Sequence, residues 1–111
     1  MYSVAFIFEP GKYDDSFHEL NDFIQNFAES MDGFVGKESW QSPDGKIINS
    51  TYYWKSEEAI KEFSSHPKHI EAKRQYSKWY NGYHIVVSKI QRSYGDNIIS
   101  HMTPNERFKS V

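Results

Sequence analysis

Apolar residues along the chain follow two rhythms, one of successive or alternating positions and one of three-and-four spacing, and their order predicts the fold. Tyr2-Ser3-Val4-Ala5-Phe6-Ile7-Phe8 is β-branched and aromatic and runs into Glu9-Pro10-Gly11, so it reads as a strand ending in a turn. Phe17, Leu20, Phe23, Ile24, Phe27 and Met31 then recur at helical spacing behind Asp14, Asp15 and Ser16, which are suited to capping a helix start. A first helix is predicted over 15–31, with Gly33 as its stop. Phe34 to Gln41 and Lys46 to Trp54 are predicted strands, and Ser42-Pro43-Asp44-Gly45 between them carries the turn chemistry of a hairpin.

Ser56 can cap a second helix, with Glu57 and Glu58 at the positive end of its dipole and Ala59, Ile60 and Phe63 on its apolar side, ending near Ser65. Pro67 fits the first position of a third helix running to about Lys78, because proline starts a helix well and continues one badly. Gly82 separates that helix from a last strand, Tyr83 to Ser93. The order β-α-β-β-α-α-β predicts an α+β fold: a ferredoxin-like subunit with a four-stranded antiparallel sheet, over residues 1–95. Residues 96–111 are polar, hold Pro104 and show no period, which predicts a C-terminal tail, either frayed or laid as an arm on a partner chain.

A sheet wetted on one side should alternate apolar and polar positions. Val4-Ala5-Phe6-Ile7-Phe8, Tyr52-Tyr53-Trp54 and Ile85-Val86-Val87 do not, so both faces want burial, and the helices are too few for both. A sheet-to-sheet homodimer with two-fold symmetry is the expected remedy.

The whole-chain quantities narrow the function classes. With 111 residues the chain supports one core, and aromatics at 17% demand either a packed interior or a ring-lined pocket. The formal charge is −2 and no window concentrates Lys and Arg, so nucleic acid is not an expected partner. The absence of cysteine excludes disulfides, thiolate metal sites and Cys nucleophiles. The apolar run at Tyr2 to Phe8 is too short to cross a bilayer, so a cytoplasmic location without a membrane partner is expected.

The densest candidate chemistry lies between Ser64 and His84. On a helical wheel His69, Ala72, Tyr76 and Tyr80 share one face with His66 and Lys73 at its edge, opposite Lys68, Glu71, Arg74 and Lys78. The inward histidines suggest His69 as a general base, helped by His66, in a ring-lined cavity between helices and sheet. The plainer alternative makes His66 a helix cap and His69 a core histidine bonded to a carbonyl. Two histidines three residues apart lack an evident third ligand, so no metal is expected. Tyr52, Trp54, Tyr76, Trp79, Tyr80 and Tyr83 are candidates to bind an aromatic substrate; as core or interface rings they would serve equally well. No phosphate loop, Ser-His-Asp context or glycosidase-like carboxylate pair stands out.

Tyr53-Trp54-Lys55-Ser56-Glu57-Glu58-Ala59-Ile60, His66-x-x-His69-x-x-Ala72, Trp79-Tyr80-x-x-Tyr83 and Arg92-Ser93-Tyr94-Gly95, in this strand order, resemble the antibiotic biosynthesis monooxygenase family. The resemblance covers about Met1 to Gly95 and implies a dimeric α+β barrel of ferredoxin-like subunits. It implies oxygen addition to a small electron-rich aromatic compound without metal, flavin or haem, with His69 as base, Trp54 and Tyr80 positioning rings, and His66 orienting or relaying a proton. A second branch of the family degrades haem with an Asn, a Trp and an axial His. Those positions fall here on Phe6 or Ile7, Phe63 and Lys73, which counts against that mechanism, although His69, one turn before Lys73, leaves haem as an alternative cofactor through a shifted ligand. A non-catalytic dimeric small-molecule-binding or stress-associated protein is the third reading.

Overall fold

Pro10 ends the first strand and Asp14 begins the first helix, its carboxylate accepting the Phe17 amide at 2.8 Å. The structure, a computed structural model, describes residues 1–107. Its elements are β1 (Tyr2–Pro10), α1 (Asp15–Ser30), β2 (Phe34–Gln41), β3 (Ile48–Trp54), α2 (Glu57–Ser64), α3 (Pro67–Arg74), α4 (Tyr76–Trp79) and β4 (Tyr80–Lys89). The fold is α+β, with helices against one antiparallel sheet of order β2-β3-β1-β4.

The local chemistry explains most boundaries. Ser56 Oγ accepts the Ala59 amide at 3.2 Å, and Pro67 stands at the start of α3. In the hairpin turn Gly45 takes φ +73°, a left-handed conformation that costs glycine no Cβ clash. Asp44 Oδ1 accepts the Lys46 amide at 3.0 Å, and the Ser42 amide donates to the Ile47 carbonyl at 2.8 Å. That turn absorbs Lys46 and Ile47, so β3 begins at Ile48 rather than at Lys46.

The third predicted helix is two. Gln75, at φ −104° and ψ 8°, breaks it after Arg74, and the short α4 follows. Gly82 is no separator: β4 starts at Tyr80, which pairs with Pro10, while Gly82 pairs with Glu9 beside an irregularity at Glu9/Pro10. The Gly11 amide donates to the Trp79 carbonyl at 2.6 Å, so pairing with β1 of the same chain decides where the last strand begins.

Registers give the two faces. Phe34 opposite Trp54, Tyr52 opposite Val4, and Phe6 opposite Ile85 lie on the helix side with Phe8 and Tyr83. Ala5, Ile7, Tyr53, Thr51, Glu38, Trp40, His84 and Val86 point the other way. Under the helices are two buried clusters, Ala28, Trp54, Ala59 and Phe63 in one, Phe17, Leu20 and Trp79 in the other.

Residues 93–107 return along their own chain. The Glu106 amide donates to the Ser93 carbonyl at 2.9 Å, and His101 Nε2 is 3.0 Å from Glu38 Oε2 on the outer face of the sheet. Met102 Sδ lies 2.6 Å from where a Cβ on Gly36 would stand. In these residues the tail is held by contacts with its own chain; residues 108–111 lie outside the described part. Among the described residues no helix is long and apolar enough to cross a membrane.

Candidate functional site

The inward line predicted for the third helix survives its break. His69 meets Phe63 of α2 edge-on, with ring centroids 4.6 Å apart. One turn on, Ala72 packs against the Phe17, Leu20 and Trp79 cluster, and a turn further Tyr76 meets Tyr83 of β4 at 4.9 Å. The line thus runs from α2 to the open edge of the sheet, above a floor supplied by β1 and β4.

That floor is a ring cluster. Phe6 contacts Tyr80 at 5.3 Å and Tyr83 at 6.0 Å, and Phe8 contacts Tyr80 at 5.1 Å. Burial, with the nearby hydroxyls of Tyr13 and Tyr52, holds the Tyr80 phenol well above the ordinary tyrosine value, so it is a neutral donor at physiological pH. Because β4 is the edge strand and α1 and α2 lie mainly over the β2–β3 half of the same face, Tyr83, Ile85 and Val87 stay exposed on the helix side. The result is an apolar surface along the edge strand, open on one side. Where the end of β1 meets the start of β4 there is a hollow of about 300 Å³, with Phe8, Glu9, Asn81, Tyr83 and His84 in its wall.

His69 is the chemically unusual group. Its Nδ1 is buried and has no hydrogen-bond partner, a costly condition for an imidazole nitrogen. Burial first, then the Lys73 ammonium, pushes its pKa down to about 4, with the nearby Phe63 backbone opposing the shift. The ring is therefore neutral near pH 7, and its unpaired nitrogen is available to a hydroxyl or to a proton.

The other expected site residues divide. His66 is a cap: its Nδ1 accepts the Lys68 amide at 3.1 Å, and its ring lies 4.5 Å from that of Phe27. Trp54 and Trp79, 1% and 2% exposed, offer no surface to a ligand. Trp54 fills the first core cluster, and Trp79 Nε1 donates to Asp14 Oδ1 at 3.1 Å, so both are core rings rather than pocket walls. Tyr76, Tyr80 and Tyr83 are brought together around the floor. Tyr52 stands between the two regions, its ring 6.1 Å from Phe63, its hydroxyl accepting from Gln25 Nε2, and Lys37 Nζ 5.2 Å from its ring centre.

Sequence reasoning missed Gln25 and Phe6. Gln25 carried a signal: with Asn21 it is a polar residue, half-buried, among the apolar positions Phe17, Leu20, Ile24 and Ala28 of α1. Phe6 carried none beyond its place in a strand. Among the described residues no group of three or more His, Asp or Glu side chains is placed to hold a metal ion.

Against known proteins, the monooxygenase af470-like family model matches residues 5–88. The uncharacterized protein YqjZ of Bacillus subtilis is 33% identical over 92 residues, covering 82% of this chain and 80% of YqjZ. SnoaB, a cofactor-independent oxygenase from Streptomyces nogalater, superposes with a TM-score of 0.65 at 11% identity over 83% of this chain and 94% of SnoaB. A Deinococcus radiodurans protein assigned to the antibiotic biosynthesis monooxygenases gives 0.63 at 11% identity, over 86% of this chain and 97% of that one. Both superpositions establish likeness of fold.

Proposed function

The chain belongs to the monooxygenase af470-like family, of the antibiotic biosynthesis monooxygenase type, and from that premise we propose that it oxidises a small electron-rich aromatic compound with O₂, without a cofactor, as a homodimer. The substrate lies in the groove between the α3–α4 line and the β1–β4 floor. The observation that supports this reading is the unpartnered buried nitrogen of His69, on the α3 line that continues through Tyr76 to the rings of Phe6, Tyr80 and Tyr83.

A ligand of this class completes the site. Its rings stack on the tyrosines and Phe6, and an acidic hydroxyl or activated C–H gives its proton to His69 Nδ1. The substrate anion then transfers electrons to O₂. One oxygen atom is retained in a new carbonyl and the other leaves as water with two protons, so an anthrone-like substrate, whose CH₂ becomes C=O, closes the balance with no external reductant. In the empty site burial makes His69 a weak base, and a substrate anion held beside the ring would raise its basicity.

Oxygen uptake against a panel of anthrones and hydroquinones tests the reading. Turnover by the native chain, reduced about 10²-fold or more by His69→Ala and left within a few-fold by His66→Ala, is expected of a general base at His69 alone. Uptake indifferent to His69 would place the site elsewhere. In parallel, a Soret shift on haemin titration that His69→Ala abolishes would move the reading to haem, and tight aromatic binding without turnover would make the chain a binding protein.

A further inference from the structure

Gly11 to Asp14 link β1 to α1, and both ends of the link are held by one residue of α4. The Gly11 amide donates to the Trp79 carbonyl at 2.6 Å, and Trp79 Nε1 donates to Asp14 Oδ1 at 3.1 Å. A Cβ on Gly11 would stand 2.8 Å from the Trp79 carbonyl oxygen, so only glycine lets the strap close this tightly. Between its two fixed ends the strap presents Tyr13. That ring lies flat on Phe17, with centroids 3.8 Å and planes 4° apart, and meets Tyr80 nearly at right angles at 6.0 Å. Tyr80 itself stands over Phe6 and Phe8 and follows Trp79 directly in the chain, so the residue that fastens the strap also fixes the two phenols relative to each other.

Neither phenol has a hydrogen-bond partner among the described residues. Burial raises the pKa of both, and for Tyr80 the nearby Tyr13 and Tyr52 hydroxyls add to the shift, so both are neutral O–H donors. Two adjacent donors that no protein acceptor faces call for an acceptor oxygen on a ligand. Ala72, one turn after His69 on α3, packs on the same Phe17, Leu20 and Trp79 cluster as Tyr80. Little more than one helical turn, about 5 Å of rise, therefore separates the imidazole from the wall that holds the phenols. In an anthrone-like molecule the acidic CH₂ and the carbonyl lie across one ring. When the CH₂ gives up its proton, the electron pair left behind delocalises onto the carbonyl oxygen. Donors aimed at that oxygen bind more strongly as the charge develops, and a base as weak as His69 needs such help to take the proton.

We propose that Tyr13 and Tyr80 together hold the carbonyl oxygen of an aromatic ketone substrate and stabilise, by hydrogen bonding, the negative charge that gathers there when the ring system gives its proton to His69. The inference rests on the reading of the chain as an oxygenase of aromatic compounds, and its test uses a ligand that cannot react. Anthraquinone keeps the rings and the carbonyl but has no hydrogen to lose. Bound to the native chain, its infrared carbonyl band should fall below its position in an apolar solvent. Tyr13→Phe and Tyr80→Phe should each weaken binding about three- to tenfold and move the band back, with far-UV spectra unchanged because each variant keeps its ring. Gly11→Ala, which retains both hydroxyls but unseats the strap, should move the band as Tyr13→Phe does. With an anthrone under O₂, Tyr13→Phe should lower kcat about tenfold or more and change KM less. Anthraquinone that does not bind, a band that binding does not lower, or a lowered band that neither Phe variant restores would each overturn the donor pair. A lowered band that the variants restore, in a chain that consumes no O₂ with any anthrone, would leave the pair standing and overturn the oxygenase reading instead.

Discussion

The indole N–H of Trp79 donates to Asp14 Oδ1 at 3.1 Å across 65 positions of sequence, and the same oxygen accepts the Phe17 amide at 2.8 Å. One carboxylate thus starts α1 and satisfies the buried polar atom of α4, tying the first helix to the last. Asp14→Ala removes the cap and leaves the indole unpaired, at a cost of about 2 kcal/mol or more. Asp14→Asn, which keeps an acceptor, should recover most of it. Urea unfolding followed by tryptophan fluorescence measures both.

Gly33 meets Ala59 just as closely. A Cβ on Gly33 would lie 2.4 Å from the Ala59 Cβ, a contact that α2 can relieve only by moving away from β2. Gly33→Ala should lose about 1–3 kcal/mol, in the range of overpacked cores. Gly33→Ala combined with Ala59→Gly should recover part of the loss, because the clashing methyl is gone; equal losses in the single and double variants would contradict the packing described.

The acid side of the stability curve should have two segments. His69 has a folded pKa of about 4 against an ordinary value of 6.5. Between those values the unfolded chain takes up a proton that the folded chain refuses, so stability falls as pH falls through that window. Glu38 is shifted the same way, lowered first by its hydrogen bond from Tyr53, so the stability it contributes is present above the usual 4.5 and is lost as pH falls through its lower folded value. His69→Phe should flatten the first segment and leave the second. Urea midpoints from pH 8 to pH 3 separate them.

The clasp of His101 on Glu38 is readable through Tyr53. Its hydroxyl donates to Glu38 Oε1 at 2.6 Å, and burial together with that carboxylate pushes its pKa up to about 12. Glu38→Gln removes the carboxylate but not the burial, so ultraviolet titration should find the phenol lowered part of the way toward 10. No change would mean that burial alone sets it.

How much of this was legible beforehand depended on whether the deciding interaction was local. The caps at Asp14 and Ser56, the proline start at Pro67 and the turn at Gly45 are chemistry within a few residues, and the elements they bound came out close to expectation. The break at Gln75 did not, because Tyr76 and Tyr80 keep helical spacing and only pairing of Tyr80 with Pro10 makes the latter a strand residue. Burial was equally hidden. Trp79 and Tyr83 look alike as pocket rings in the sequence, yet one is sealed under α1 and the other lies on an edge strand. The return of His101 to Glu38 spans 63 positions and has no periodic signature at all.

Isotope labelling tests the central claim most directly. With an anthrone that supports oxygen uptake, single turnover under ¹⁸O₂ should place one labelled atom in the product carbonyl, and His69→Ala should slow that incorporation without unfolding the chain. Absence of label in the product, or incorporation at the native rate after His69 is removed, would contradict it.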